Sequence, residues 1–268
     1  MIFKYNSYND LLLELGRLDF VVEISEIAVR DFLKQLDQAE NKEQFVKDKS
    51  SEFGIMVACD EDNQYYHQIT LGNVSAVYHL TETFFYELQT EYNNISSESW
   101  SFHSNTKKLD QVLTFFRTKN RLSKSDNIDE YLIDTFNYYH QLRVYFSHKK
   151  TVSLGEITSK RNKAIKHFDQ NLLDKYKVKQ VPKALENIDF EDYFLFTQIA
   201  KDLALKISSI GYPEPNGLAQ TKAIKKLNKY KDNQQRLNLS IERALITDFG
   251  YTKENDSDDL VEKIIEYL

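Results

Sequence analysis

The scarcity of turn-forming residues is the feature of this sequence that most constrains its fold. The chain has 268 residues but only seven glycines and three prolines. A β-sandwich or β-barrel needs a turn about every ten residues, and glycine and proline supply many of these turns. Long helices joined by polar loops need far fewer turns. The composition therefore predicts an all-α fold, which we expect to be a helical bundle.

Apolar residues recur at steps of three and four along most of the chain, as they do on one face of an α-helix. The first stripe follows Ser7 and Asn9, either of which can cap the start of a helix. Further stripes cover 69–92 and 128–146, and we predict a helix at each stripe. The members of the first stripe are Leu12, Leu13, Leu15, Phe20, Val21, Ile24, Ile27 and Phe32.

Two capping patterns mark the starts of later helices. Ser153 and Glu156 have the S-x-x-E spacing of a capping box, in which each side chain accepts a hydrogen bond from the backbone of the other residue. Asp189 and Asp192 have the same spacing, and the apolar residues after them predict a helix that ends near Ile210.

Two of the three prolines fall in the segment GYPEPNG at 211–217, which predicts a linker. We therefore expect a main helical bundle over 1–210 and a helical C-terminal extension over 218–268. The extension begins with a basic stretch, which is either a solvated face or a surface that follows a phosphate backbone. Its cationic residues are Lys222, Lys225, Lys226, Lys229, Lys231 and Arg236.

Charge, cysteine content and hydropathy argue against several classes of protein. The formal net charge is −6, so the chain as a whole is not attracted to nucleic acid or to an anionic membrane. Cys59 is the only cysteine, so an intramolecular disulfide has no second partner. The first residues lack the basic start and apolar run of a signal peptide, and no apolar stretch is long enough to span a bilayer. We expect a cytoplasmic protein that has no membrane partner.

The common motifs for phosphate loops, metal sites and nucleophilic serines do not occur in the sequence. It contains no G-x-x-x-x-G-K-[ST] or G-x-G-x-x-G loop, no H-E-x-x-H or C-x-x-C pair and no G-x-S-x-G elbow. The six histidines are scattered along the chain. We therefore expect neither a bound metal nor a cofactor.

The stretch SKRNKAIKHFDQ at 159–170 carries an arginine and a histidine that can act together on a phosphate. Arg161 falls near the centre of the apolar stripe of its predicted helix, where an unpaired charge is costly. It therefore needs either a buried carboxylate or an anionic ligand. His167 lies about 120° around an ideal helix from Arg161. The two side chains converge only if the helix ends near Lys166 or if two subunits pool their residues.

Such a pair suits the cleavage of RNA without a metal ion. Histidine, whose usual pKa is about 6.5, can take the proton of the 2′-hydroxyl or supply one to the leaving 5′-oxygen. Arginine stays charged and can bind two phosphate oxygens at once. Because the nucleophile is the 2′-hydroxyl of the substrate, DNA is excluded and the product is a 2′,3′-cyclic phosphate.

The stretch RNKAIKHFD at 161–169 resembles the R-[ND]-K-x-x-A-H-x-D motif of the HEPN superfamily (higher eukaryotes and prokaryotes nucleotide-binding). It looks most like the HEPN proteins of abortive-infection phage defence. The match includes Asn162 after the arginine and Asp169 two residues past the histidine, whereas Lys166 stands where alanine is usual.

The resemblance implies a HEPN-like helical bundle that forms a homodimer, with two motifs lining one cleft. The implied activity is a metal-independent endoribonuclease that acts on tRNA or mRNA, in antiviral defence or as a toxin held by an antitoxin or regulatory protein. Arg161 would bind the phosphate and His167 would act as acid or base. Asn162 and Asp169 would orient the pair.

Two alternatives remain open at the level of sequence. The stretch LRVYFSHKK resembles HEPN motifs of the L-R-N-Y-F-x-H type, which makes Arg143 and His148 a second candidate catalytic pair, although Val144 replaces the usual polar residue. We rank this pair behind Arg161 and His167. The other alternative is a non-catalytic HEPN-like module that binds a nucleotide, RNA or a protein partner, in which Arg161 is a structural contact.

Overall fold

The computed structural model describes residues 3–57, 65–96, 99–104, 106–118, 128–148, 151–251 and 259–268. Every regular element in these ranges is helical, which confirms the predicted all-α fold. None of the described helices has the length and hydropathy needed to cross a bilayer. The helices are α1 (Asn6–Gln38), α2 (Lys42–Phe53), α3 (Tyr65–Ile95), α4 (Lys108–Thr118), α5 (Glu130–Ser147), α6 (Leu154–Ile165), α7 (Gln170–Tyr176), α8 (Phe190–Ile210), α9 (Pro215–Gln220), α10 (Lys222–Lys225), α11 (Gln234–Phe249) and α12 (Asp259–Ile265).

The predicted capping box is present at the start of α6, and a related pattern of hydrogen bonds is present at the start of α8. At α6, Glu156 N–H donates to Ser153 Oγ at 3.2 Å, and Ser153 N–H donates to the Glu156 carboxylate at 3.0 Å. At α8, Glu191 N–H donates to Asp189 Oδ1 at 3.0 Å, and Asp189 N–H donates to Asp192 Oδ2 at 3.3 Å. Each pattern satisfies backbone N–H groups that the first turn of a helix leaves without a partner.

The chain divides into two compact units, each made of separated stretches of sequence. The first unit comprises Met1–Glu14, His79–Ile133 and Ile199–Leu268, and the second comprises Leu15–Tyr78 and Asp134–Gln198. The predicted linker at 211–217 and the predicted extension at 218–268 both lie in the stretch Ile199–Leu268 of the first unit.

Aromatic rings form much of the core of the first unit. Trp100 stacks on Phe115 with ring centroids 5.0 Å apart, and Phe116 meets both Phe115 and Tyr92 edge to face. Tyr92 and Phe116 are almost fully buried. The rings therefore bury a large apolar area and also fix the orientation of α4 against the end of α3.

The segment 211–217 packs closely within this unit. Tyr5 donates its hydroxyl proton to the Gly211 carbonyl at 2.6 Å. A Cβ at Gly211 would lie 2.3 Å from Phe116 Cζ, and a Cβ at Gly217 would lie 2.2 Å from the Ile95 carbonyl oxygen. Glycine is required at both positions because backbone and ring approach more closely than any side chain allows.

The second unit is built around the contact between α5 and α8. Tyr139 of α5 stacks on Phe196 of α8 with ring centroids 4.7 Å apart, and Phe136 lies 5.7 Å from the same ring. The Tyr139 hydroxyl donates to Asp192 Oδ1 at 2.9 Å. The stripe predicted for 128–146 is thus a core-facing stripe, and one of its members also carries a buried polar contact.

Helix α1 confirms the first predicted helix, but its apolar residues do not all lie in the core. Leu15 and Val22 are buried. Phe20, Val21, Ile24 and two other members of this stripe remain exposed, so the apolar residues of the stripe lie on two sides of the helix. The exposed large apolar residues of α1 are Leu13, Phe20, Val21, Ile24 and Ile27.

Candidate functional site

His167 lies in the turn directly after α6, where the chain leaves the helix. The helix ends at Ile165, with Lys166 as its C-cap. This is the helix end that the sequence requires if Arg161 and His167 are to approach each other within one chain. His167 N–H donates to the Ala164 carbonyl at 3.3 Å, which holds the turn against the last helical residues. The imidazole is therefore presented from a helix end rather than from a helix side.

A carboxylate from another helix contacts this imidazole. Asp134 Oδ2, on α5, lies 2.9 Å from His167 Nε2, and the side-chain exposures are 23% for Asp134 and 19% for His167. Lys166 Nζ lies 3.7 Å from the same oxygen. Asp134 thus holds the turn after α6 through its contacts with Lys166, which is cationic, and with His167, which can take up a proton.

This pair has the chemistry of an oriented acid or base. An ionised carboxylate only accepts hydrogen bonds, so Asp134 fixes the tautomer in which His167 Nε2 carries the proton. Nδ1 is then the ring nitrogen that accepts a proton. Because both side chains are largely buried, the carboxylate can also stabilise the imidazolium ion that forms after proton transfer.

Arg161 lies on the buried side of α6, as its place in the stripe predicts. It is half-buried and shares a face with Ile157 and Ala164, which are both buried. Its partner is a backbone carbonyl rather than a carboxylate, because Arg161 Nε donates to the Pro182 oxygen at 2.9 Å. Among the described contacts, none engages its two terminal nitrogens, so these remain available to an anion.

A buried network fixes the segment that supplies this carbonyl. Tyr138 donates to the Lys183 carbonyl, and Lys183 N–H donates to Asp192 Oδ1 at 3.0 Å. Burial raises the pKa of Asp192 to about 6, while its hydrogen bonds from Lys183, Tyr139 and Asp189 act in the opposite direction. The Pro182 carbonyl, and with it the Arg161 side chain, is therefore held in place from α5 and α8.

The two predicted supporting residues have other surroundings. Asp169 is the N-cap of α7, where its Oδ1 accepts from Leu172 N–H at 2.9 Å. Asn162 is exposed on α6. In the part of the chain that the structure describes, no hydrogen bond joins either residue to Arg161 or His167. Arg161 and His167 likewise have separate partners.

The second candidate pair is arranged differently. The Arg143 guanidinium lies 5.4 Å from the ring centroid of Tyr78, in a cation–π contact. His148 is exposed just after α5, where its backbone N–H donates to the Val144 carbonyl at 2.8 Å. No carboxylate among the described residues orients its ring, so the geometry favours His167 over His148 as an acid or base.

Sequence reasoning missed Asp134, although it found the histidine that Asp134 contacts. Asp134 is 33 residues away from His167 and lies outside the apolar stripe of α5, in a position typical of a solvated carboxylate. No motif spacing connects the two. The contact arises because the turn after α6 returns to α5, and only the tertiary structure shows that.

A cationic groove lies in the first unit, on the predicted C-terminal extension. It is open, with a volume of about 390 Å³. The Arg236 guanidinium lies 4.2 Å from the ring centroid of Tyr230, and Lys229 Nζ lies 4.9 Å from it. A hydrogen bond from Lys229 lowers the pKa of Tyr230. The lining residues are Tyr230, Asn233, Gln235, Arg236, Leu239, Ser240 and Arg243.

No group of three or more histidine, cysteine, aspartate or glutamate side chains is placed to hold a metal ion within the described ranges. Comparisons of the chain with protein-family models, with curated proteins and with solved structures gave no match.

Proposed function

We propose that this protein is a metal-independent endoribonuclease of the HEPN type. The observation that carries the proposal is the 2.9 Å contact between His167 Nε2 and Asp134 Oδ2, at the end of the helix that also carries Arg161. His167 acts as the general acid or base, Asp134 positions it, and Arg161 binds the scissile phosphate.

The proposed reaction uses each group for one task. His167 Nδ1 takes the proton of the 2′-hydroxyl, whose oxygen then attacks the adjacent phosphorus. The bond to the 5′-oxygen breaks, and that oxygen takes a proton from a protonated imidazole, which a second protomer supplies in a composite site. The terminal nitrogens of Arg161 stabilise the charge on the non-bridging oxygens. The products are a 2′,3′-cyclic phosphate and a 5′-hydroxyl.

The cationic groove supports RNA as the ligand. The segment 218–247 contains seven basic and two acidic residues, whereas the whole chain has a net charge of −6. Arg236 and Arg243 lie one above the other on α11 and can contact phosphates. We propose tRNA or mRNA as the substrate, and a role in anti-phage defence or as a toxin restrained by an antitoxin or regulatory protein.

A second candidate function is a non-catalytic HEPN-like module that binds a nucleotide, RNA or a protein. The contact between Arg161 Nε and the Pro182 carbonyl favours it, because this bond alone explains a half-buried arginine on α6. The Asp134–His167 pair would then hold the turn after α6 to α5 and would have no chemical task.

An RNA cleavage assay separates the two functions. Purified protein is incubated with bulk tRNA in EDTA, and the fragment ends are identified. We expect fragments with 2′,3′-cyclic phosphate ends from the wild type and from His148→Ala, and none from His167→Ala. The reverse pattern would move the site to Arg143 and His148. Absence of cleavage by a wild type whose expression is toxic to cells would contradict the nuclease proposal.

The role of Asp134 is tested in the same assay. We expect Asp134→Asn to lower kcat at least about tenfold with little change in KM, because the amide no longer fixes the imidazole tautomer. The matched control is Asp129→Asn, which replaces an exposed carboxylate beside the start of α5. Ring ¹⁵N chemical shifts of His167 report the tautomer directly. Unchanged shifts and rate in Asp134→Asn would exclude the positioning role.

A further inference from the structure

One side of α1 exposes a continuous row of apolar side chains. Phe20 is 65% exposed, Val21 59%, Ile24 52% and Ile27 70%. Arg17 and Asp31 are also exposed and lie at the two ends of the row. We call this surface the α1 face, and it consists of Arg17, Phe20, Val21, Ile24, Ile27, Ala28 and Asp31.

The opposite side of α1 holds the helix in the second unit. Val22 is buried, Tyr193 of α8 donates to Asp19 at 2.7 Å, and Tyr66 of α3 donates to Glu26. At about 100° per residue, these inner positions lie within about 60° of one another, and the α1 face is centred about 180° away from them. The α1 face therefore points out of the unit that α1 helps to build.

We propose that the α1 face is a homodimer interface, in which it packs against the same face of a second copy in antiparallel orientation. A two-fold interface is self-complementary. If one position of the first copy contacts another position of the second copy, then the same two positions also meet with the copies exchanged. With the axis at Ile24, Val21 lies opposite Ile27, and the large Phe20 lies opposite the small Ala28. Arg17 lies opposite Asp31 at both ends.

Charge selects this arrangement over the alternatives. A parallel pair in register would place Arg17 against Arg17 and Asp31 against Asp31, whereas the antiparallel pair places opposite charges together. Helices that lie on a membrane surface carry lysine and arginine beside the apolar side. The α1 face instead contains one cation, Arg17, and one anion, Asp31, and the exposed Glu23 and Lys34 border it, on a chain of net charge −6. A second copy therefore fits the surface better than a lipid bilayer.

The inference goes beyond the proposed nuclease and does not rest on it, since it follows from exposure and charge alone. Its test measures association rather than RNA cleavage. A dimer that does not cleave RNA would leave this inference standing, whereas a wild type that stays monomeric would contradict both this inference and the composite site proposed above.

The primary experiment is sedimentation velocity of the full chain from about 1 to about 100 µM. We expect the wild type to shift from monomer to dimer over this range. Ile24→Asp should weaken association at least about tenfold, because two carboxylates would meet on the axis. The matched control is Ile246→Asp on α11, since Ile246 is 51% exposed and lies outside the α1 face. It should leave association unchanged, and circular dichroism checks that both variants fold.

A charge exchange tests the antiparallel register. Arg17→Asp alone and Asp31→Arg alone each place like charges together at both ends, so each should weaken the dimer. The double variant Arg17→Asp/Asp31→Arg restores both opposite pairs and should recover association. A parallel dimer would gain nothing from the double variant.

A disulfide provides the final check. In a Cys59→Ser background, Ile24→Cys should form an intermolecular disulfide on oxidation. Arg17→Cys should not, because the two copies of position 17 lie about 21 Å apart along the helices. A wild type that stays monomeric, or a dimer that Ile24→Asp leaves intact, overturns the proposal. If such a monomer binds anionic lipid vesicles, the α1 face belongs to a membrane contact instead.

Discussion

Asp192 is buried and accepts three hydrogen bonds, so its protonation affects the free energy of unfolding. Tyr139 O–H, Lys183 N–H and Asp189 N–H all donate to its carboxylate. Burial nevertheless has the larger effect and raises the pKa of Asp192 from 3.8 to about 6. The desolvation of a charged carboxylate thus outweighs the donors that surround it.

The pH dependence of stability follows from this shift. Between about pH 4 and pH 6 the folded protein holds a proton on Asp192 that the unfolded chain has lost, so the Asp192 contribution to the free energy of unfolding falls as pH rises. The loss amounts to about 3 kcal/mol. Asp192→Asn should remove it, which urea unfolding of both proteins from about pH 4 to about pH 7 measures. Parallel pH profiles of wild type and variant would contradict this linkage.

At the residue scale, the sequence predicts which side chains can act on a substrate, but it does not predict which of them are in contact in the folded protein. The helical period predicts that Arg161 lies on the core-facing side of α6, and the structure has it half-buried on that side. Its partner does not follow, because every residue has a carbonyl and nothing in the sequence singles out Pro182. Asp134 is likewise an ordinary carboxylate until the turn after α6 brings His167 to it.

At the scale of single elements, the helix starts were the most predictable features. The caps at Ser153 and Asp189 involve residues two or three positions apart, so local spacing determines them. The orientation of α1 is less predictable, because the exposed Phe20 and Ile24 are apolar, as the buried Val22 is. A periodic pattern shows that a helix is amphipathic, and only the packing of α3 and α8 shows which apolar residues they cover.

Helix α11 carries the prediction for RNA binding. We expect the double variant Arg236→Glu/Arg243→Glu to weaken binding of a single-stranded oligoribonucleotide at least about tenfold and to flatten the salt dependence by about 0.7 per lost phosphate contact. Fluorescence anisotropy at several salt concentrations measures both. The control is the double reversal Lys179→Glu/Lys206→Glu, which makes the same change of net charge at two exposed lysines outside the groove. Equal losses in the two proteins would show a general charge effect and no specific groove.

At the scale of the whole molecule, the first unit joins parts of the chain that are far apart in sequence. Phe3 stacks on Phe249 with ring centroids 5.3 Å apart, and Lys4 N–H donates to the Phe249 carbonyl at 2.8 Å. Hydropathy and turn composition are local properties, and the domain boundary predicted at 211–217 rests on them. They contain no information on the contact between residues 3 and 249.

A pair of matched variants tests this organisation. We expect Phe249→Ala to lower the free energy of unfolding by about 3 kcal/mol, because it opens a cavity against the buried Phe3. Phe53→Ala, at a phenylalanine that is 66% exposed, should change it by less than about 0.5 kcal/mol. Calorimetry shows whether the effect reaches the whole transition of the first unit. A separate, early transition confined to 218–268 would instead support an independent extension.

The close packing at Gly211 and Gly217 sets a limit on how this protein can diverge. At either position the smallest side chain would overlap a ring or a carbonyl oxygen, so replacement requires the backbone to move. Exposed helix positions outside the α1 face and the cationic groove impose no comparable restriction. Over evolutionary time those positions can change freely, whereas the two glycines of the short stretch that looks most like a dispensable connector cannot be replaced without a shift of the backbone.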